Sequence, residues 1–194
     1  MEPLTGGESL TRLVISKLDK KFRKKTAVDN LSLTVFKNEI LVLLGHNGAG
    51  KSTIMNMLTG LLKPTSGTAK AIGVHDNRTV NMFDDYRDLV DFIGFCPQAD
   101  VLIDRMTVRE NLQFFCRFKG IDNEEALVNE VLDSYNLMGN EKTLAKNLSG
   151  GQKRKLQLAI ALLGDAKIVL LDEPSSGMDP TARREAWEII QKAK

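Results

Sequence analysis

This 194-residue sequence has few cysteines and histidines, no long apolar run and little excess of one charge. Cys96 and Cys116 lie far apart, without a C-x-x-C pair or a histidine cluster, so no metal or redox site is indicated and a reducing, cytosolic setting is the default. No apolar run approaches the ~18 residues that span a bilayer, and the N-terminus lacks the layout of a signal peptide. The net charge of +2 favours neither nucleic acid nor an anionic membrane as a partner.

The sequence does have the composition of an ordinary globular domain, with 42% hydrophobic and 27% charged residues. Strand and helix patterns alternate along it, which predicts an α/β fold. The predicted strands are an edge strand at 10–18, a half-buried strand at 31–35, a fully buried strand at 40–44, a short strand at 93–96 and a buried strand at 167–171. The predicted helices are 51–62, 107–118, 124–138, 152–163 and 181–194, and the polar stretch 20–25 is predicted to be a connection.

The loop at residues 45–52 matches the phosphate-binding pattern G-x-x-x-x-G-K-[ST], between a predicted buried strand and a predicted helix. Small residues let backbone N–H groups face the phosphates, and the helix N-terminus adds partial positive charge. Lys51 would contact the β- and γ-phosphates, and the Ser52 hydroxyl would ligate Mg²⁺. The residues predicted to contact nucleotide here are Gly45, Asn47, Gly48, Ala49, Gly50, Lys51, Ser52 and Thr53. A glycine-rich turn with a chance lysine is the alternative, and this loop alone leaves kinase, GTPase and motor functions open.

Two carboxylates follow the apolar strand predicted at 167–171, where open α/β sheets bind their ligands. Asp172 would bind in the Mg²⁺ shell, and Glu173 would polarise an attacking water as general base. The alternative is a strand end with two solvated acids, which is common in α/β folds.

The segment Leu148-Ser149-Gly150-Gly151-Gln152 resembles the LSGGQ signature of ABC ATPases, and the order of all the motifs is that of the family. This resemblance implies an ATP-binding domain that pairs head to tail with a second one, so that the signature of each domain contacts the γ-phosphate held by the other. Ser149, Gly150, Gly151 and Gln152 would then form an anion site at a helix N-terminus, with positive charge from Lys153, Arg154 and Lys155. Taken alone, the segment is better interpreted as a glycine turn that caps a helix.

Three further residues match family positions. Gln98 resembles the Q-loop glutamine, whose amide would reach Mg²⁺ and water in the closed site, and it is otherwise an ordinary loop residue. Phe22 lies where the family has an aromatic side chain that stacks on adenine, although a plain strand aromatic is an alternative. Asp179, in a segment that resembles the D-loop, would couple the two sites of the pair, and it also suits a helix N-cap before Pro180.

The sequence around the phosphate loop, the stretch 58–67, Cys96-Pro97-Gln98 and the stretch 164–167 resemble subfamily A of the ABC transporters, the eukaryotic lipid exporters. The resemblance covers nearly the whole chain. It implies ATP hydrolysis that drives transport of a lipid across a membrane, with ATP and Mg²⁺ as ligands. It also implies transmembrane domains as partners, a location at the cytoplasmic face of a membrane, and no role for nucleic acid.

The family has a switch histidine on a strand about thirty residues past the acidic pair, and this sequence has no histidine there. His46 and His75 both precede the signature. The resemblance therefore implies a domain truncated before that strand, which would leave a gap between the phosphate-loop strand and the acidic-pair strand. We expect such a fragment to hydrolyse ATP weakly or not at all and to have low stability.

These observations predict one α/β domain over residues 1–194, a P-loop NTPase core of the ABC type with an N-terminal antiparallel β part. Residues 1–99 and 149–194 would form the catalytic core, and 100–148 a helical subdomain. One alternative is a soluble ABC ATPase without a transport role, acting on ribosomes or DNA. Another is a nucleotide-binding module that does not hydrolyse ATP.

Overall fold

The computed structural model describes residues 11–23, 25–73, 78–84, 89–164 and 166–193. The chain divides into two compact units, Met1–Phe92 and Ile93–Lys194. Parts of the predictions fall outside the described residues, namely Leu10, Lys24, His75, Asp165 and Lys194. The predicted boundaries of a helical subdomain at 100–148 stay a prediction.

The described part of the first unit contains a four-stranded antiparallel sheet and an α-helix. The strands are β1 (Thr11–Phe22), β2 (Lys25–Phe36), β3 (Ser66–Ile72) and β4 (Thr79–Asn81), and the helix is α1 (Lys51–Leu58). The strand order is β2-β1-β3-β4. The predicted antiparallel part on the N-terminal side is therefore confirmed, and the half-buried strand predicted at 31–35 lies within β2, where alternate residues are exposed.

β1 is an interior strand, so the prediction of an edge strand was wrong. It also continues to Phe22, and most of the predicted connection at 20–25 is strand. The register shifts between Ile15 and Leu18, where Lys17 has a φ of 49°. Such a bulge interrupts the alternation of apolar and polar residues, although the ladder of hydrogen bonds continues beyond it. The second half of the strand could therefore not be predicted from the alternation.

The run 40–44 was predicted to be a buried strand, and this prediction was wrong. These residues lie outside any strand, and Val42 and Leu44 are 59% and 89% exposed. No strand in the described ranges pairs with the run, and an unpaired segment has neither ladder hydrogen bonds nor a neighbouring strand to cover it. Helix α1 follows the loop as predicted but ends at Leu58, because Gly60 adopts a left-handed φ of 73° and donates its N–H to Met57.

The second unit, as far as the structure describes it, combines a parallel strand pair with α-helices. Strands β5 (Ile93–Cys96) and β6 (Ile168–Leu171) pair in parallel, so both strand predictions are confirmed. The helices are α2 (Val108–Phe118), α3 (Glu124–Ser134), α4 (Gly150–Ala161) and α5 (Pro180–Lys192). These are the four predicted helices with slightly different ends, the largest difference being at α3, which stops before Asn136 at φ 52°.

Two apolar clusters hold the second unit together. One joins α2, α3 and α4 through fully buried side chains such as Leu112, Leu132 and Leu156. The other joins α4 and α5 to the end of β5 through Leu158, Ala186 and Cys96. Within the described residues, no helix is both long and apolar enough to cross a membrane.

Candidate functional site

The loop before α1 has the shape that the phosphate-binding pattern predicts. Gly48 and Gly50 have φ values of 82° and 98°, which L-residues with a side chain rarely adopt, and Ala49 donates its N–H to the His46 carbonyl over 3.1 Å. A Cβ atom at Gly50 would also collide with the carbonyl of Ala27 in β2. The glycine pattern is therefore required by backbone geometry in this unit.

The Lys51 side chain folds back across this loop. Its Nζ donates hydrogen bonds to the carbonyls of Gly45, at 2.6 Å, and His46, at 3.1 Å. The first helical hydrogen bond of α1 runs from the Ile54 N–H to Gly50, so the N–H groups at the start of the helix have no intrahelical partner. An ammonium group and a helix N-terminus at one exposed loop together favour an anionic ligand.

Oxygen donors that suit a hard cation lie in both units. Ser52 is exposed in the first turn of α1, beside the half-buried Thr53, and Asp172 is half-buried after β6. Mg²⁺ prefers such hydroxyl and carboxylate oxygens, together with phosphate oxygens and water. The residue types therefore fit the predicted cation.

Phe22 closes β1, and its side chain is 44% exposed. The Lys20 ammonium lies 5.0 Å from the centre of its ring, a cation–π contact. An exposed ring can stack on a base, and the adenine contact of Phe22 stays a prediction.

The structure brings the predicted general base and the predicted Q-loop glutamine together. The Asp172 N–H donates to the Cys96 carbonyl over 2.9 Å, which extends the β5–β6 ladder by one step. Gln98 Nε2 then donates to Glu173 Oε2 over 3.2 Å. Glu173 itself has a φ of 49°, a left-handed conformation that costs a residue with a side chain roughly 1–2 kcal/mol. Backbone strain of this kind is often found at functional sites.

Arg154 is a residue of this site that the sequence reasoning missed. It was expected to add positive charge at the signature, but its buried guanidinium bonds to the loops after β5 and β6. Its neighbours are also engaged elsewhere, Lys153 with Asp100 and Lys155 with Glu185. The expectation of three cations around the signature was therefore wrong. A signal was present, because position 154 shares a helix face with the apolar positions 158 and 161.

The signature segment forms the start of α4. The Ser149 hydroxyl accepts a hydrogen bond from the Gln152 N–H, and the Gln152 side chain accepts one from the Ser149 N–H, which is a capping box. A Cβ atom at Gly151 would lie 3.0 Å from the Ala182 side chain of α5, so a small residue is needed for packing there. The capping reading of this segment is confirmed, and its contact with a γ-phosphate stays a prediction.

Asp179 is the N-cap of α5, as one of its two interpretations predicted. Its carboxylate accepts from the N–H groups of Ala182 and Thr181, and these hydrogen bonds lower the pKa of Asp179. Its role between two domains stays a prediction. Cys96, at the end of β5, is buried, and this burial raises the pKa of its thiol to about 11. The thiol is therefore protonated and weakly nucleophilic at neutral pH.

Comparison with solved structures identifies this fold. A structure described as "Structure of ATP binding subunit of ABC transporter" matches with a TM-score of 0.81 over 94% of this chain and 75% of its own, at 24% sequence identity. The fold is thus that of an ABC ATP-binding subunit. The family profile described as "ABC transporter" matches residues 28–176, and this chain belongs to that family, as the ATP-binding domain of an ABC transporter.

Its curated relatives include members of subfamily A. Human ATP-binding cassette sub-family A member 2 is 43% identical over 93% of this chain and 7% of its own length. The mouse cholesterol transporter ABCA5 is 42% identical over 93% and 11%. The human retinal-specific phospholipid-transporting ATPase ABCA4 is 44% identical over 87% and 7%. The chain spans about a tenth or less of the length of these relatives, and the resemblance to subfamily A is confirmed.

Proposed function

We propose that this chain binds MgATP at the loop of residues 45–52 and contributes the residues that hydrolyse it. The observation that carries the proposal is the position of Lys51, whose ammonium bonds two loop carbonyls at the N-terminus of α1. Phosphate oxygens would take over these hydrogen bonds, because a charge-assisted bond to an anion is stronger than one to a neutral carbonyl. The loop would then surround the phosphates with backbone N–H groups.

The residues of the second unit would act on the water that attacks the γ-phosphate. Glu173 would accept a proton from this water, and the Gln98 amide, which bonds Glu173 at 3.2 Å, would orient both groups. Ser52 and Asp172 would hold Mg²⁺, which neutralises charge on the phosphates when it is bound. In this mechanism positioning and electrostatics do most of the work, as in other phosphoryl transfers.

We further propose that the domain pairs with a second ABC domain and drives transport across a membrane through transmembrane domains. Names among the relatives support this, since they include a cholesterol transporter, a phospholipid-transporting ATPase and an organic anion transporter. A lipid is the substrate that most of these names favour. In the pair, Ser149 and the N-terminus of α4 would contact the nucleotide of the other domain, and Asp179 would connect the two sites.

The Lys51 contact is tested by titrating the chain with MgATP and measuring the dissociation constant by calorimetry. We expect Lys51→Met to weaken binding at least about tenfold, because it removes one charge-assisted hydrogen-bonding group worth about 1.5–3 kcal/mol. Lys70→Met is the matched control, since Lys70 is an exposed lysine of β3 in the same unit, outside the loop. Equal affinity in the wild type and Lys51→Met, or no binding by either, would contradict the proposal.

A further inference from the structure

The guanidinium of Arg154 uses every donor that it has. Arg154 is 6% exposed, one turn into α4, and an arginine carries five N–H donors. Four of its hydrogen bonds go to backbone carbonyls: Pro97 at 2.6 Å, Asp172 at 2.7 Å, Glu173 at 2.9 Å and Pro174 at 3.0 Å. The fifth goes to the side chain of Gln157 at 3.0 Å. The side chain is thus built into the loops that follow β5 and β6.

Three of these carbonyls are consecutive, at residues 172–174. In an extended strand, successive carbonyls point in alternating directions, so three in a row cannot meet at one group. They meet here because the chain curls at Glu173, whose φ is 49°. The hydrogen bonds to Arg154 therefore offset the cost of the left-handed conformation at the residue that carries the proposed general base.

The segment of Gln98 is held from both sides by the same group of residues. Arg154 bonds the carbonyl of Pro97, just before it, and Gln157 Nε2 bonds the carbonyl of Ala99, just after it, over 3.2 Å. Gln157 is itself bonded to Arg154. One buried guanidinium thus joins the backbones that carry Gln98 and Glu173, beyond the point where the β5–β6 ladder ends with the Asp172–Cys96 hydrogen bond.

We propose that Arg154 is a positioning residue for hydrolysis, which fixes the backbone of Glu173 and the Gln98 segment so that their side chains meet at 3.2 Å. This inference rests on the proposed function, because it concerns the residues that would act on the attacking water. Arg154 contacts no reacting atom and works through the two side chains. A lysine cannot replace it, since an ammonium has three donors on a flexible stem and no planar fork.

Arg154 could instead serve only to attach α4 to the strands, and a second arginine of the same unit provides the comparison. Arg109, on α2, donates to the side chains of Glu141, Glu125 and Asn129, all outside the loops after β5 and β6. Its removal would loosen the helices around it and leave the Gln98–Glu173 contact intact. Arg109→Met therefore measures the general destabilisation caused by losing an arginine with several hydrogen bonds, without a direct effect on the Gln98–Glu173 contact.

The experiment compares the wild-type chain with Arg154→Lys, Arg154→Met and Arg109→Met. The first readout is the side-chain NH₂ signal of Gln98 in NMR spectra, with its exchange rate with water, in the nucleotide-free chain. The second is the affinity for MgATP, and the third is the rate of ATP hydrolysis. We expect the two Arg154 variants to shift the Gln98 signal and to leave the dissociation constant for MgATP within about twofold. The wild-type chain is expected to hydrolyse ATP weakly, and any rate that it shows should fall about tenfold to a hundredfold, because small misplacements of reacting groups slow catalysis by such factors. Where no turnover is detected, the Gln98 signal decides the proposal.

The proposal is overturned if Gln98 keeps its wild-type signal in a folded Arg154 variant, or if Arg109→Met shifts that signal equally. Should both Arg154 variants fail to fold, Gln157→Met provides the same test, because it removes the hydrogen bond to Ala99 and one partner of Arg154. We then expect a smaller shift of the Gln98 signal in the same direction. The absence of this shift counts against the proposal. If the wild-type chain binds no MgATP, the proposed function fails, while the Gln98 signal still decides the role of Arg154.

Discussion

Each unit contains an apolar segment that precedes candidate functional residues, and only one of the two segments is a strand. Residues 40–44 precede the phosphate loop in the first unit, and β6 precedes Asp172 in the second. In β6, Ile168 and Leu170 are each 7% exposed and pair with β5. In 40–44, by contrast, Leu44 is 89% exposed, and the segment lies outside any strand.

The difference shows that apolar composition and strand formation are separate properties. Burial of an apolar surface contributes about 25 cal/mol per Å², whichever element covers it. A strand also needs a neighbour that takes its backbone hydrogen bonds, and β6 has this neighbour in β5. The close approach of α4 adds cover on this pair, since a Cβ atom at Gly94 of β5 would collide with the Ala161 carbonyl.

The comparison is tested most strongly by truncating one leucine in each segment. We expect Leu170→Ala to lower the free energy of unfolding by about 2–5 kcal/mol, because it leaves a cavity under a packed strand. Leu44→Ala should change it by less than about 0.5 kcal/mol, as for other exposed positions. Urea unfolding followed by circular dichroism measures both values.

The control for this pair is Val42→Ala, in the same exposed segment, which should behave like Leu44→Ala. A loss at Leu44 as large as that at Leu170 would mean that residues 40–44 are packed in solution, and the contrast between the segments would disappear.

Gly50 in the phosphate loop and Gly150 at the start of α4 provide a second pair of variants, with a smaller expected effect on stability. Gly50→Ala should destabilise the first unit by at least about 1–2 kcal/mol, the cost of a left-handed residue with a side chain, plus the collision with Ala27. Gly150→Ala should lower stability little or raise it by less than about 1 kcal/mol, because this position is helical with open space around it.

Thermal unfolding of both variants measures this difference. Gly48→Ala is the control, since Gly48 has a φ of 82° with no atom near its missing Cβ, and it isolates the backbone cost from the collision. Equal losses at positions 50 and 150 would mean that Gly50 has no greater backbone requirement for glycine than the helical Gly150.

The smallest expected effect concerns acid. A hydrogen bond from Arg109 lowers the pKa of Glu141 in the second unit. A carboxyl whose pKa is lower in the folded than in the unfolded chain stabilises the fold above its unfolded pKa, about 4.3 for glutamate, and loses this contribution as the pH falls through the folded value. Stability should therefore decrease on acidification below pH about 4.3, and Glu141→Gln should make this decrease less steep.

Amide exchange in α2 and α3, followed between neutral and acidic pH, measures this dependence. Arg109→Met should flatten it in the same way, and the double variant should add little, because the two residues act as a pair. An unchanged acid dependence in both single variants would mean that the Arg109–Glu141 pair does not contribute to the pH dependence of stability in the second unit.

Local signals were the ones that the sequence revealed best. The helix predicted from residue 107 does begin there, because Thr107 and Glu110 form a capping box whose partners both lie within one turn and need no other element. β3 and β4 were not predicted, since β3 is built from small and polar residues with little strand preference, whose buried Ala69 and Ala71 depend on neighbouring strands. Arg154 was misjudged because its five acceptors come from three separate segments of the chain.

Several features could be predicted from the sequence, namely the family, the order of the motifs, most of the helices and the residue types that suit a nucleotide and Mg²⁺. The helices and the phosphate loop depend on spacing within one segment, where glycine, lysine and hydroxyl groups act through the local backbone, and the family follows from the order of several such segments. Two features depend on contacts between distant segments: β6 is a strand while 40–44 is not, and Arg154 joins Glu173 to the Gln98 segment. Partners of this kind come from residues distant in the chain. A pattern along one segment indicates that position 154 lies on an apolar helix face, but not which groups it contacts.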